Sequence, residues 1–295
     1  MNEELEEKIK DFDENQRELI LSKLVDLKKY VLRKRIGHGS FGYVFIIEDK
    51  ETNEIFAAKI SKYKLNSSDF RFDEILISSS VDYPCVLGLV GFSPTNFYGE
   101  SYPVLIFQYM PNGTLETFFQ NFNKDNTKIF IILLGIAIGM KYLHSKHIIH
   151  RDLKHSNILL DENFYPYISD FGLSKVSDNE EDIFRTKNMG TPMYISPEII
   201  SDGDYTKSAD VYSYSIMGYR LLTGIKPYEN IKNSGELFRD VINGKRPNTD
   251  KIKNQRIKAF LMKCWNNDPC ERLSFDQIIE ELLKKDFYDS FDIKI

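Results

Sequence analysis

The chain has 295 residues, 42% hydrophobic and 28% charged, a balance that excludes a disordered or fibrous polypeptide and suffices for a sizeable core. Its formal net charge of −5 argues against a dedicated nucleic-acid binder, which carries a basic face. Cys85, Cys264 and Cys270, with no Cys-x-x-Cys pair among them, fit free thiols in a reducing compartment better than a disulfide framework.

In chain order, residues 1–29 form a charge-dense leader with Leu5, Ile9, Phe12, Leu19, Leu24 and Leu27 at roughly helical spacing. Two readings stand: a solvated helix packing lightly on the rest of the chain, or a regulatory or partner-binding helix. The opening MNEELEEKIK lacks the basic and apolar regions of a signal peptide. Asn2 stands where myristoylation needs glycine, and FDIKI is not a prenylation box. The longest apolar run, Ile129 to Met140, is shorter than the roughly 20 residues a bilayer span takes, so a buried helix is expected. These features predict a soluble protein without membrane insertion, cytoplasmic, with access to the nucleus left open.

From Tyr30 to Tyr109 the runs YVLRKRIG, YVFIIED, IFAAKIS, CVLGLVGF and PVLIFQYM predict strands, interrupted by a helical patch, FRFDEILISSS. After Pro111-Asn112-Gly113 the texture turns helical, first at Phe130–His144, then in KSADVYSYSIMGYRLLTG, QRIKAFLMKCW and SFDQIIEELLKK. The expected fold class is α+β: a small β-rich lobe with one main helix, a larger α-helical lobe, and a ligand cleft between two such lobes.

Four features carry chemistry. Gly37-His38-Gly39-Ser40-Phe41-Gly42-Tyr43-Val44 lies between two predicted strands, and its glycines permit close backbone approach to a phosphate. Alone it is equally a glycine-rich hairpin. A strand after it excludes a dinucleotide fingerprint, and no Gly-Lys-Ser/Thr supports a P-loop. Lys59, closing Ala57-Ala58-Lys59, is a solvated edge charge unless a carboxylate reaches it; Glu74 is the candidate. In His150-Arg151-Asp152-Leu153-Lys154-His155-Ser156-Asn157, an aspartate between apolar segments can accept a hydroxyl proton, and an amide oxygen suits a hard cation. Ser169-Asp170-Phe171-Gly172 would by itself be a turn, but Asp170 comes 18 residues after Asp152.

These four, in this order, resemble the eukaryotic protein kinases over about residues 30–285. Gly190 to Glu198 looks like the end of an activation loop, Asp210-Val211-Tyr212-Ser213 like the helix anchoring the catalytic loop, and Arg272 like the arginine that pairs with Glu198. The resemblance implies a leader at 1–29, a kinase domain at 30–285 (N-lobe about 30–107, hinge about 108–113, C-lobe about 114–285) and a tail at 286–295. It implies ATP and Mg²⁺ as cofactors, with Mn²⁺ able to substitute. Lys59 and Glu74 become the phosphate-clamping pair, Asp152 the base, Lys154 its neighbouring cation, and Asn157 and Asp170 the metal ligands. Gly37, Gly39 and Gly42 form the lid over the phosphates. Adenine is expected between Val44 and Ala57 above and Leu159 below, bonding backbone near Gln108, Tyr109 and Met110, with Phe107 as gatekeeper. Ile36, His38, Ser40, Phe41 and Thr114 complete the nucleotide-contacting set.

Lys154 and Thr191 match the serine/threonine pattern, so protein substrates carrying Ser or Thr are expected; dual specificity is the alternative. LVGF, QYMPNGTL and CWNNDP look like the tyrosine-kinase-like group. Thr114 and Ser156, where arginine-directed kinases carry acids, predict no preference for upstream arginine. Arg151 before the base suggests control by activation-loop phosphorylation, by an upstream kinase or in trans, with Thr186 favoured over Ser174, Ser177 and Thr191. Ser196, Ser215 and Ser78 depart from the family pattern. Ser78 replaces a bulky apolar residue linking the helix to Phe171, which would loosen the active arrangement. A catalytically dead scaffold and a metal site at His144, His147, His150 and His155 are the rival readings.

Overall fold

The computed structural model describes residues 3–39, 41–121, 125–176, 184–185 and 191–289. These divide into two compact units, Met1–Pro111 with Asp170–Gly172, and Asn112–Ser169 with Leu173–Ile295. The α+β composition expected from the sequence is observed, with the sheet in the first unit and most helices in the second.

The first unit opens with α1 (Glu3–Ile9) and α2 (Glu14–Ser22). Five strands come next, β1 (Tyr30–His38), β2 (Gly42–Asp49), β3 (Ile55–Ser61), β4 (Leu89–Ser93) and β5 (Val104–Gln108), with α3 (Phe72–Ser80) between β3 and β4. The sheet is antiparallel, in the order β1-β2-β3-β5-β4. Alternation along β5 divides the core, because successive strand side chains point to opposite faces. Val104 and Ile106 pack with Ile47, Ala58 and Leu27. Leu105 and Phe107 pack with Ile75 of α3 and with Leu5, Ile9 and Ile20 of the leader. The leader is therefore core rather than a lightly packed, solvated helix: Leu5 and Ile20 are fully buried. It also covers the edge strand, since Val25 N–H donates to Phe92 O at 2.9 Å and Phe92 N–H to Lys23 O at 2.6 Å.

The second unit is built on α5 (Asn126–Ser145), which comes after the single turn α4 (Leu115–Phe118). By length and composition α5 could cross a membrane, but Ile132, Leu133, Ile136, Met140 and Leu143 along it are buried inside the unit. Short ladders pair β6 (Ile148–Ile149) with β9 (Lys175–Val176), β7 (Ile158–Leu160) with β8 (Pro166–Ile168), and β10 (Phe184–Arg185) with β11 (Asp204–Tyr205). Helices α6 (Pro197–Ser201), α7 (Lys207–Thr223), α8 (Ser234–Ile242), α9 (Gln255–Cys264), α10 (Phe275–Leu283) and α11 (Lys285–Asp289) complete it. Helix α10 lies against α5, and α9 against α7.

Candidate active site

In the first unit the strand register sets the geometry. Val44 opposes Lys59 across β2–β3, and Ala57 opposes Phe107 across β3–β5. Gly37, His38, Gly39, Phe41, Gly42 and Val44 lie on the β1–β2 hairpin; Ser40 is outside the described residues. At Gly42 a Cβ would come 2.5 Å from Ile60 O, so no other residue fits where β2 meets β3. Ile36 and His38 are exposed, whereas Met110 is buried and Phe107 packs on the Leu105 side of the sheet.

Lys59 is not a solvated edge charge. Its Nζ lies 2.5 Å from Glu74 Oε1 and 3.0 Å from Asp170 Oδ1. Burial alone would lower the lysine's pKa, but the two carboxylates outweigh it and hold the ammonium well above its usual range. Burial raises Glu74 against the pull of Lys59, and Asp170 adds a second negative charge that raises it further. At 2.5 Å the pair is nevertheless ionic, and the ammonium is what keeps two carboxylates together. Asp170 has φ +66°, in the left-handed region that costs a non-glycine residue energy, and Phe171 behind it is buried. Arg71 donates to Gly172 O at 3.4 Å. A small, open concavity lies beside Lys59, lined by Phe41, Arg71, Glu74, Leu105 and Gly172.

In the second unit the loop after β6 is organised by a buried carboxylate on α7. Asp210 accepts the backbone N–H of His150 at 2.9 Å and of Arg151 at 3.0 Å, and lies 2.9 Å from His144 Nε2. Burial would raise its pKa, but the bond to His144 and the neighbouring histidines bring it below the usual carboxylate range. These bonds hold Arg151 at φ +67°. His150, fully buried, donates from Nε2 to Ser169 O at 3.1 Å, leaving Nδ1 to accept from Asp152 N–H at 3.3 Å.

Asp152 is fixed through both oxygens. Lys154 Nζ donates to Oδ2 at 2.6 Å and Asn157 Nδ2 to Oδ2 at 3.1 Å, while Thr191 Oγ1 donates to Oδ1 at 3.2 Å. Thr191 in turn accepts from Lys154 at 3.0 Å, closing a ring of three side chains. Asn157 also donates to Asp152 O at 2.9 Å, so its amide hydrogens are committed and its Oδ1 is the atom left to serve a cation. Thr114 and Leu159 face each other across an antiparallel bridge, and Thr114 caps α4 by accepting from Thr117 N–H.

The sequence matches the protein kinase domain family over residues 30–287. The chain belongs to the protein kinase family. It is 32% identical over 267 residues to serine/threonine-protein kinase STY17 of Arabidopsis thaliana, covering 88% of this chain and 45% of that protein. It is 30% identical over 294 residues to Protein kinase 3 of Dictyostelium discoideum, covering 90% of this chain and 30% of that protein. The chain thus spans less than half the length of these relatives. Kinases of this family use ATP and a divalent metal.

Within the kinase domain, three of the four histidines of the rival metal reading, His144, His150 and His155, bond to protein groups instead. His144 serves Asp210, His150 serves Ser169 and Asp152, and His155 serves Tyr194; among the described residues no group of three or more His, Cys, Asp or Glu could hold an ion. The pair His155–Tyr194 carried no sequence signal, because 39 residues separate the partners. Thr186, Ser177 and Gly190 lie outside the described residues. Ser174 is buried and donates to His150 O at 3.1 Å. Ser78, in helix α3 of the kinase, is fully buried and donates its hydroxyl back to Glu74 O.

Proposed function

We propose that the chain transfers the γ-phosphoryl group of ATP to serine and threonine hydroxyls of protein substrates. The observation carrying this reading is the ring Asp152–Lys154–Thr191, which presents a carboxylate and an ammonium together. In the reaction the substrate oxygen attacks the γ-phosphorus as its O–H proton passes to Asp152. The bond from the γ-phosphorus to the β–γ bridging oxygen breaks, and ADP leaves. Lys154 offsets charge on the transferring group. Lys59, held by Glu74, clamps the α and β phosphates. Asp170 and Asn157 supply the hard oxygen donors that suit Mg²⁺, whose charge would offset that of the triphosphate.

Lys154 and Thr191 support Ser/Thr substrates, and the LVGF, QYMPNGTL and CWNNDP wording supports the tyrosine-kinase-like group. Arg151, directly before Asp152 in the sequence, is the residue on which control through a phosphorylated activation loop rests, at Thr186 first. Domain limits of 30–285 after a leader at 1–29, and a cytoplasmic location, belong to the same reading.

The test is incubation of the purified chain with radiolabelled ATP, Mg²⁺ and a generic protein substrate, then phospho-amino-acid analysis. Phosphoserine and phosphothreonine are expected, and loss of label with Asp152→Asn and Lys59→Met. Transfer that is absent, or indifferent to Asp152→Asn, overturns the reading.

A further inference from the structure

Helix α3 carries Glu74, yet little in its own sequence holds it. It has nine residues, fewer than an isolated helix needs in water, and its N-cap Arg71 makes no side-chain capping bond. Its last three residues, Ser78, Ser79 and Ser80, are weak helix formers, and Ser78 and Ser80 bond back to carbonyls of their own helix. Packing must therefore set its position.

The leader supplies much of that packing. Helix α2 lies against α3, and Ile75, next to Glu74 in sequence, is fully buried in a cluster with Leu5, Ile9 and Ile20. Phe12 meets Phe72, the first residue of α3, edge to face at 5.5 Å. The leader is itself pinned. Asp13 and Gln16 form a reciprocal capping box on α2, and Glu4 accepts from Asn66 Nδ2 at 3.0 Å and from the Ser101 hydroxyl.

We infer that the leader is a positioning element for catalysis: Ile20 and Phe12, acting through α3, keep Glu74 against Lys59. The inference rests on the proposed kinase activity. Loosening these contacts lets Glu74 leave Lys59, and the loss falls on kcat because the clamp acts on the phosphates as transfer occurs.

The experiment is a double-mutant cycle with a matched control. Ile20→Ala lowers kcat about tenfold in the wild-type background but less than about twofold in Glu74→Gln, since the clamp is already lost there. Ile20→Val restores most of the rate. Leu27→Ala removes comparable core on the other sheet face, away from α3, and leaves kcat within about twofold. Phe12→Ala, at a half-buried site, gives the same comparison should Ile20→Ala not fold. Unchanged kcat in a folded Phe12→Ala or Ile20→Ala, or an equal fall in both backgrounds, overturns the inference. A wild-type chain that transfers no phosphate overturns the proposed function instead, before any variant is compared.

Discussion

Arg272 and Glu198 form a two-pronged ion pair, Nη1 to Oε1 and Nη2 to Oε2 each at 2.7 Å, with the arginine side chain wholly enclosed. Arg272 also donates from Nη1 to Ser208 O at 3.0 Å and from Nε to Asn266 O at 2.9 Å. Removing one partner strands a buried charge, so Arg272→Ala is expected to cost about 3–5 kcal/mol. Arg272→Lys recovers little of this, because an ammonium cannot reproduce the fork. Urea denaturation checks it; a stability within about 1 kcal/mol of wild type would count against the pair's structural role.

The three-way ring at Asp152 gives a second prediction. Thr191→Ala removes a donor to Asp152 and an acceptor for Lys154 while leaving both charged groups in place. One lost hydrogen bond to a charged group, about 1.5–3 kcal/mol, corresponds to roughly a 10- to 150-fold fall in kcat. Thr191→Ser keeps the hydroxyl and should stay within about threefold of wild type. Steady-state kinetics on a protein substrate separate the two; equal rates for the alanine and serine variants would refute the ring's catalytic role.

His155 makes stability depend on pH. Its Nε2 meets Met217 O at 3.3 Å, which only an N–H can satisfy, so Nδ1 is the acceptor for the Tyr194 hydroxyl at 2.6 Å. Burial, reinforced by the Arg220 charge, brings its pKa down to about 3, while burial raises that of Tyr194 above the usual tyrosine value. The folded protein holds the imidazole neutral, whereas the unfolded chain protonates it near pH 6.5. The contribution is therefore fully present above about pH 6.5 and is lost as pH falls from there towards 3. Between pH 7 and 4 the loss amounts to about 3 kcal/mol. Thermal melts of wild type and His155→Gln across this range test it, the variant losing that part of the slope; parallel curves would refute the assignment.

Much of the site is legible in the residues because charged chemistry is demanding. Lys59, Glu74, Asp152, Asn157 and Asp170 stand at separations that make them candidates without knowledge of any contact. Alternation in PVLIFQYM similarly locates β5 and its two faces. The leader's burial is not legible, because helical spacing of Leu5, Ile9 and Phe12 identifies an apolar face without saying what that face meets. The left-handed backbone at Arg151 comes from a carboxylate 59 residues away, and nothing local signals it.

The last prediction tests the leader's seat on the sheet edge. A Cβ at Gly91 in β4 would lie 2.6 Å from Val25 Cγ1 and 3.1 Å from Cγ2. Valine is stiff about its first side-chain torsion, and Val25 is fixed by its backbone bond to Phe92, so neither side can yield cheaply. Gly91→Ala is therefore expected to destabilise the protein by about 1–3 kcal/mol. Pairing it with Val25→Ala removes the clash, so the double variant should be more stable than the sum of the single effects. Chemical denaturation of the four proteins measures that coupling. Strict additivity would mean that Val25 does not rest on Gly91, and that the edge of the sheet is covered in some other way.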